Sequence, residues 1–157
     1  MAAVNAAGWR EGYRGIVPEY YLEDLPVSRW LREMKNGLAN PRGDAFTRIA
    51  EVDGGFAGYC FVAAPGREVA DDSNEAELVA IYVYSRHWGQ GVGRALLEAA
   101  LAETTRLGYE EIVLWTFARN ERALRLYRAA GFEPDGATRP FVPVGTETVR
   151  LRRTLNG

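Results

Sequence analysis

Three glycines at every second position constrain the fold of this chain more than any other feature of its sequence. They lie in Trp88-Gly89-Gln90-Gly91-Val92-Gly93-Arg94, between an apolar strand-like run at 77–84 and an alanine- and leucine-rich helical pattern that ends near Gly108. Glycine adopts conformations that other residues avoid, and it lets the backbone approach a ligand closely. The first N–H groups of the next helix lack intrahelical partners and carry the positive end of the helix dipole. The segment therefore predicts an anion site, most simply a phosphate.

Spacing separates the kinds of phosphate site that such glycines can build. An ATP-type phosphate loop needs Lys and then Ser or Thr after its last glycine, whereas Arg94 and Ala95 follow Gly93. A dinucleotide fingerprint would need glycine at position 96, which is Leu96, and a first glycine directly at the end of the strand. Taken alone, the glycines could also form a simple flexible turn between a strand and a helix.

Composition limits the functional class. A chain of 157 residues that are 47% hydrophobic can bury one core, so we expect a single domain over 1–157. A net charge of -2 argues against a broad nucleic-acid surface. The single cysteine, Cys60, excludes a disulfide framework, and we predict no metal site. No run approaches the ~20 apolar residues that span a bilayer, so we expect a cytoplasmic protein that does not bind membranes.

Hydrophobic periodicity and turn residues predict alternating helices and strands. The expected elements are helices at 2–13 and 27–36, a hairpin of 46–52 and 56–62, a loop at 65–74, a strand at 77–84, a helix at 94–108, a strand at 111–117, a helix at 120–130, and strands at 132–140 and 146–155. A strand-helix-strand unit between hairpins makes a mixed α/β sheet with flanking helices.

Three further segments place the glycines in a known context. The segments 76–84, 94–108 and 120–132 stand in the order seen in the GCN5-related N-acetyltransferase (GNAT) family, which this chain resembles. The acetyl-CoA signature of that family is Arg or Gln, two residues, Gly, one residue, and Gly or Ala. It falls on 88–93, and Trp88 departs from its first position.

The resemblance implies a fold and an activity. It implies a mixed, mostly antiparallel sheet with flanking helices, and transfer of an acetyl group from acetyl-CoA to a primary amine of a small molecule or peptide in a ternary complex. Family members usually begin with a strand that we expect to be missing here, because the chain opens into residues similar to the first helix. A sheet with one strand fewer has an open edge, so a homodimer is one further expectation.

The resemblance also implies which residues contact acetyl-CoA. The main chain of the strand would hold the pantetheine arm, the glycine segment would hold the pyrophosphate, and the helix at 120–130 would complete the site. These residues are Ile81, Tyr82 and Val83; Gly89, Gln90, Gly91, Val92, Gly93 and Arg94; and Asn120, Arg122 and Tyr127.

Acid and base candidates follow from the same resemblance. Tyr127 matches the usual general acid, although an aromatic at this position can also be core. Glu77 is the leading base, with Glu75 as an alternate of the same strand parity. His87, the one histidine, lies beside the phosphate loop, and we expect it to be exposed and non-catalytic.

The acceptor pocket is the least determined part of the sequence. The first helices and the loop between the last strands should build it. The aromatic candidates are Trp9, Tyr13, Tyr20, Tyr21 and Trp30, and the acidic ones are Glu19, Glu23, Asp24 and the loop at 71–77. Two alternatives stay open: a non-catalytic CoA-binding sensor or structural domain, and an acyltransferase that uses a longer acyl-CoA.

Overall fold

The computed structural model describes residues 1–40, 43–63 and 74–155. The helices are α1 (Ala2–Gly12), α2 (Glu19–Glu23), α3 (Val27–Ala39), α4 (Val92–Arg106) and α5 (Glu121–Ala129). The strands are β1 (Phe46–Val52), β2 (Gly55–Ala63), β3 (Glu75–Val83), β4 (Glu111–Phe117), β5 (Glu133–Phe141) and β6 (Thr146–Thr154). Most of the loop expected at 65–74, including Asp71 and Asp72, lies outside the described residues.

The strands form one mixed sheet in the order β1-β2-β3-β4-β6-β5. Every neighbouring pair is antiparallel except β3 and β4, which run parallel and are connected through α4. The hairpin of β1 and β2 turns at Asp53 and Gly54, which have φ values of 52° and 77°, as the predicted turn requires. The predicted fold class is confirmed.

The parallel pair β3 and β4 separates along its length. Backbone partners exist only from Glu75 opposite Glu111 to Glu77 opposite Val113. Beyond them β3 continues to Val83, and β4 continues to Phe117 beside β6. The sheet therefore opens in its middle, between the carboxyl halves of these two strands.

A β-bulge in β3 lies where the two strands begin to separate. Leu78 is opposite Val62 and Ala80 is opposite Phe61, which leaves Val79 as the extra residue. A bulge of one residue exchanges the two faces of the strand beyond it. Leu78 packs in the core beside α4, whereas Tyr82 packs with the aromatic cluster beside α1.

Two hydrophobic clusters hold the layers together. One places leucines of α4, such as Leu97, and Tyr127 of α5 against one face of the sheet. The other packs Trp9 and Leu22, from α1 and α2, with Phe117 on the opposite face. The helices therefore cover both faces of the open sheet, and side chains from both layers can reach the opening.

The first strand usual in the resembled family is not seen among residues 1–40, which form helices and a single bridge between Arg14 and Val17. The sheet instead begins with β1, a strand with one neighbour, β2. Within the described ranges, none of the helices has the length and apolar character needed to cross a bilayer.

Candidate active site

The opening between β3 and β4 forms a cleft of about 330 Å³, which is lined mainly from the α4 and α5 side and also by Gly8 and Tyr13 from the α1 side. We call it the glycine-loop cleft, because the segment Trp88–Arg94, the glycine loop, forms one of its walls. Its other lining residues come mainly from β3, β4 and α5. From the set predicted to bind acetyl-CoA, its lining includes Ile81, Tyr82, Val83, Gly89, Gly91, Gly93, Arg94, Asn120, Arg122 and Tyr127.

Two glycines of the loop adopt backbone conformations that favour glycine. Gly89 has φ 74° and Gly91 has φ 85°, and a Cβ atom on either would meet no heavy atom within 4 Å. Glycine is therefore required at these two positions by the backbone conformation and not by a lack of space for a side chain. Gly91 is the N-cap of α4, and the first bond of that helix runs from the Ala95 N–H to the Gly91 carbonyl at 2.9 Å. The backbone N–H groups of the residues just before Ala95 have no acceptor within the helix, so they can donate to an anion.

Trp88 connects the glycine loop to two other elements. Its indole N–H donates to the Val83 carbonyl at 2.9 Å, at the end of β3. The Arg122 guanidinium of α5 lies 3.3 Å from the centroid of the Trp88 ring. This side chain departs from the acetyl-CoA signature, yet it fastens the loop to β3 and α5.

The other side chains of the loop have local partners. Gln90 donates to the Arg86 carbonyl at 2.8 Å, and Arg94 donates to Glu98 at 2.7 Å. Gln90 and Val92 lie in the loop but outside the cleft lining. A contact from them to a phosphate would use the main chain.

Helix α5 presents Asn120 and Tyr127 to the cleft. The side-chain oxygen Oδ1 of Asn120 accepts from the Ala123 N–H at 3.3 Å, so this residue is the N-cap of α5. Tyr127 is only 7% exposed. Burial, and to a lesser degree the neighbouring Tyr82, raise the pKa of Tyr127 well above its ordinary value. Its hydroxyl therefore keeps its proton at neutral pH and can act as a donor.

Glu77 and Glu75 lie on the same strand but in different environments. Burial raises the pKa of Glu77; Arg139 opposes this shift and Glu75 adds to it. Glu75 instead pairs with Arg152 at 2.5 Å. Arg152 also donates to Glu111 and, at 3.4 Å, to Asp135. Glu77 is the last residue of β3 that pairs with β4, so it lies where the opening begins. It is not among the residues that line the cleft. Of the two carboxylates, Glu77 is the one available to accept a proton.

A second cavity, of about 440 Å³, lies on the other side of the opening. We call it the aromatic cavity. It is built by α1, the residue that follows α1, β3, the ends of β4 and β5, the loop before β6, and β6 itself. Its lining residues are Trp9, Tyr13, Val79, Tyr82, Trp115, Thr116, Phe117, Arg139, Pro140, Phe141, Val142, Pro143 and Thr148.

The glycine-loop cleft and the aromatic cavity share one wall. The shared residues are Tyr13, Val79, Tyr82, Trp115 and Thr116. Within this wall the Trp9 indole N–H donates to the Tyr82 hydroxyl at 2.9 Å. Burial raises the pKa of Tyr13 to about 12, and hydrogen bonding to Tyr82 partly offsets this shift. The wall is therefore largely aromatic and uncharged at neutral pH, and it is only partly buried, since Thr116 is buried whereas Val79 is 52% exposed.

The aromatic candidates for the acceptor pocket divide into two groups. Trp9 and Tyr13 line the aromatic cavity directly. The rings of Tyr21 and Trp30 pack against Trp9, with ring centroids 5.9 and 5.6 Å from that of Trp9. Tyr20, in contrast, is 67% exposed. The acidic residues Asp71 and Asp72 lie outside the described residues.

Some residues of the site carry no local sequence signal. Val79, Trp115, Thr116 and Arg139 line one or both cavities, but none of them belongs to a motif. Arg139 and Trp115 come together only because β5 and β4 both flank β6. Only the pairing of strands distant in sequence brings these two residues into the site.

Comparisons with known proteins identify a family and several proteins that are similar to this chain. Residues 9–132 match the profile of the Acetyltransferase (GNAT) family. A mycothiol acetyltransferase of Sanguibacter keddieii is 34% identical over 96 residues, 60% of this chain and 30% of that protein. N-alpha-acetyltransferase 40 of Saccharomyces cerevisiae is 34% identical over 119 residues, 68% of this chain and 40% of that protein. The chain thus spans less than half the length of these curated relatives.

The fold also matches solved structures. The PaiA N-acetyltransferase of Thermoplasma acidophilum, solved in complex with coenzyme A, superposes with a TM-score of 0.74 at 20% identity. The match covers 98% of this chain and 89% of that one. At this identity the comparison establishes a common fold.

Proposed function

The chain belongs to the GNAT acetyltransferase family, and from this premise we propose that it moves an acetyl group from acetyl-CoA to a primary amine. The acceptor is a small molecule or a peptide, and transfer is direct, in a ternary complex. The observation that carries the proposal is the wall shared by the glycine-loop cleft and the aromatic cavity. Two substrates that enter from opposite sides of the sheet would meet at this wall.

The glycine-loop cleft has the chemistry that coenzyme A requires. The N–H groups around Gly91, at the positive end of the α4 dipole, would hold the pyrophosphate. Arg122, on the same cleft, would add a positive charge near the phosphates. The edge of β3 that faces β4 would bind the pantetheine amides beyond Glu77, since β4 no longer pairs with it there.

Acetyl-CoA would supply an acetyl group activated as a thioester. Glu77 would take a proton from the acceptor ammonium, directly or through water, which frees the nitrogen lone pair for attack. The N–C bond forms as the C–S bond breaks. Tyr127, held in its protonated form by burial, would donate its proton to the departing sulfur, and the second proton that the new amide nitrogen loses would restore it.

Direct transfer agrees with the environment of the one thiol. Cys60 is fully buried, and burial raises its pKa to about 11. Its sulfur lies 3.6 Å from the Leu96 carbonyl, in the core beside α4. A buried, protonated thiol is a poor nucleophile, so no acyl-enzyme is proposed.

A thiol-release assay tests the proposal. Acetyl-CoA is presented with a panel of small amines, amino acids, amino-acid amides, polyamines and peptide N-termini, and CoA affinity is measured separately by calorimetry. We expect acceptor-dependent release of CoA with at least one class of amine. Tight CoA binding without turnover on any acceptor would instead assign the chain as a CoA-binding sensor.

A further inference from the structure

The aromatic cavity has apolar walls and one formal charge. The residues that line it include six with aromatic rings and two prolines: Trp9, Tyr13, Tyr82, Trp115, Phe117, Phe141, Pro140 and Pro143. Of the described residues that line it, Arg139 is the one with a charged side chain. A ligand that fits this cavity would be largely apolar and would carry one anionic group that can pair with the Arg139 guanidinium.

Arg139 is held beside the site of transfer. Its guanidinium carbon lies 3.9 Å from the centroid of the Trp115 ring, a cation–π geometry. Trp115 belongs to the wall that the two cavities share. The positive charge therefore lies on the acceptor side, next to the point where an amine would meet the thioester.

The charge on Arg139 is not neutralised as those of its neighbours are. Arg150 donates to Asp135 at 2.6 Å, and Arg152 pairs with Glu75 at 2.5 Å. Across 1–40, 43–63 and 74–155, no carboxylate oxygen lies within 4.0 Å of the Arg139 side-chain nitrogens. The charge of Arg139 lowers the pKa of Glu77, but these two side chains do not form an ion pair. The guanidinium is available to an anion from outside.

We propose that the acceptor is an amino carboxylate with an apolar or aromatic side chain, and that Arg139 binds its carboxylate. The inference rests on the proposed acetyl transfer and narrows its acceptor. A guanidinium binds a carboxylate through two parallel hydrogen bonds, which fixes orientation as well as charge. The apolar side chain would pack among the rings of the aromatic cavity, and the amine would point to the shared wall.

The same charge disfavours other classes of amine. A polyamine or an aminoglycoside would bring a second cation into a cavity whose described lining offers a guanidinium and no carboxylate. A peptide N-terminus has an amide in place of the adjacent carboxylate and would leave Arg139 without a partner. The acidic candidates Glu19, Glu23 and Asp24 are not among the residues that line either cavity.

The test compares three acceptors that differ in one group: L-phenylalanine, L-phenylalaninamide and phenethylamine. Their acetylation is followed by thiol release in the full chain and in Arg139→Met, Arg139→Lys and Arg150→Met. The acceptors differ in amine basicity, so the readout is the change in kcat/KM that each variant causes for each acceptor. Arg150→Met is the matched control, because Arg150 lies 5.8 Å from the same Trp115 ring but is paired with Asp135.

Arg139→Met should lower kcat/KM for phenylalanine about tenfold more than for phenylalaninamide, as expected for the loss of a charged hydrogen-bond partner. Arg139→Lys should recover part of the difference, and Arg150→Met should leave the ratio of the two acceptors unchanged. CoA affinity, measured by calorimetry, should not distinguish the variants.

Equal losses for phenylalanine and its amide in Arg139→Met would overturn the assignment. Acetylation of phenethylamine or the amide, but not of phenylalanine, would also overturn it while leaving acetyl transfer in place. Failure of every amine in the presence of bound CoA would instead refute the proposed function itself.

Discussion

At the scale of single residues, Tyr127 combines burial with a place in the wall of the glycine-loop cleft. Its raised pKa keeps the hydroxyl protonated, which is the state that a general acid needs. A core tyrosine without a catalytic role would have the same burial. The two roles are separated by what happens when the hydroxyl alone is removed.

Tyr127→Phe should lower kcat about tenfold or more, which is about 1.4 kcal/mol in the barrier, because the departing sulfur loses its proton donor. CoA affinity should change little. Steady-state kinetics and calorimetry measure the two quantities. Tyr59→Phe is the matched control, since Tyr59 is equally buried but lines neither cavity. An unchanged kcat in Tyr127→Phe would remove this residue as the acid.

The protonation of Glu77 should determine how kcat/KM depends on pH. A base must be deprotonated, so kcat/KM should fall as the pH falls through the pKa of Glu77, which burial raises above the ordinary 4.5. Glu77→Gln should lower the rate and abolish this acidic limb. The profile of kcat/KM between pH 5 and 9 measures it.

Glu75→Gln is the control for Glu77. The negative charge of Glu75 raises the pKa of Glu77, so its removal should move the acidic limb to lower pH without abolishing it. An acidic limb that persists in Glu77→Gln would show that another group takes the proton.

At the scale of elements, the glycine loop and α4 act as one unit. Gly91 is both the N-cap of α4 and a residue with φ 85°. Gly91→Ala should weaken CoA binding about tenfold, because a left-handed non-glycine residue costs roughly 1–2 kcal/mol and the loop would relax away from it. Isothermal titration with CoA measures the change.

Gly108→Ala separates binding from folding in this test. Gly108 has φ 87° and, like Gly91, no heavy atom within 4 Å of a Cβ, but it lies beyond the far end of α4. The substitution should lower stability to a similar extent and leave CoA affinity intact. Equal CoA affinities for the two variants would contradict the assignment of the loop.

Strands β2 and β3 meet closely where β3 carries Tyr82. A Cβ atom on Gly58 would lie 2.4 Å from the Tyr82 carbonyl oxygen, which is backbone and cannot rotate away. Gly58→Ala should therefore cost about 1–3 kcal/mol of unfolding free energy. Gly37→Ala, in α3 with nothing within 4 Å, should be neutral or slightly stabilising. Urea denaturation distinguishes them, and comparable stability of the two variants would argue against this close approach.

The bulge in β3 marks where local sequence patterns stop being informative. Strict alternation predicts that Glu77 and Ile81 share one face of the strand. The extra residue Val79 exchanges the faces, so Ile81 packs with the α4 core together with Leu78. No glycine or proline marks this bulge in the sequence, and the irregular pairing with β2 that creates it is a tertiary feature.

At the scale of the whole molecule, the sequence predicts the order of the elements and the mixed sheet, because hydrophobic periodicity and turn residues are local signals. The α5 N-cap at Asn120 and the turn at Asp53 are signals of the same kind. The aromatic cavity is different. Trp115 and Arg139 are brought together by the pairing of β4 and β5 with β6, and nothing within either segment indicates it.

The central claim is that two substrates meet at one wall in the middle of the sheet. The most direct test is a matrix of initial rates, in which acetyl-CoA and the best acceptor of the panel are varied together. The account predicts intersecting double-reciprocal lines, which indicate a ternary complex. Parallel lines would show that an acyl-enzyme forms before the acceptor binds, and would contradict the account.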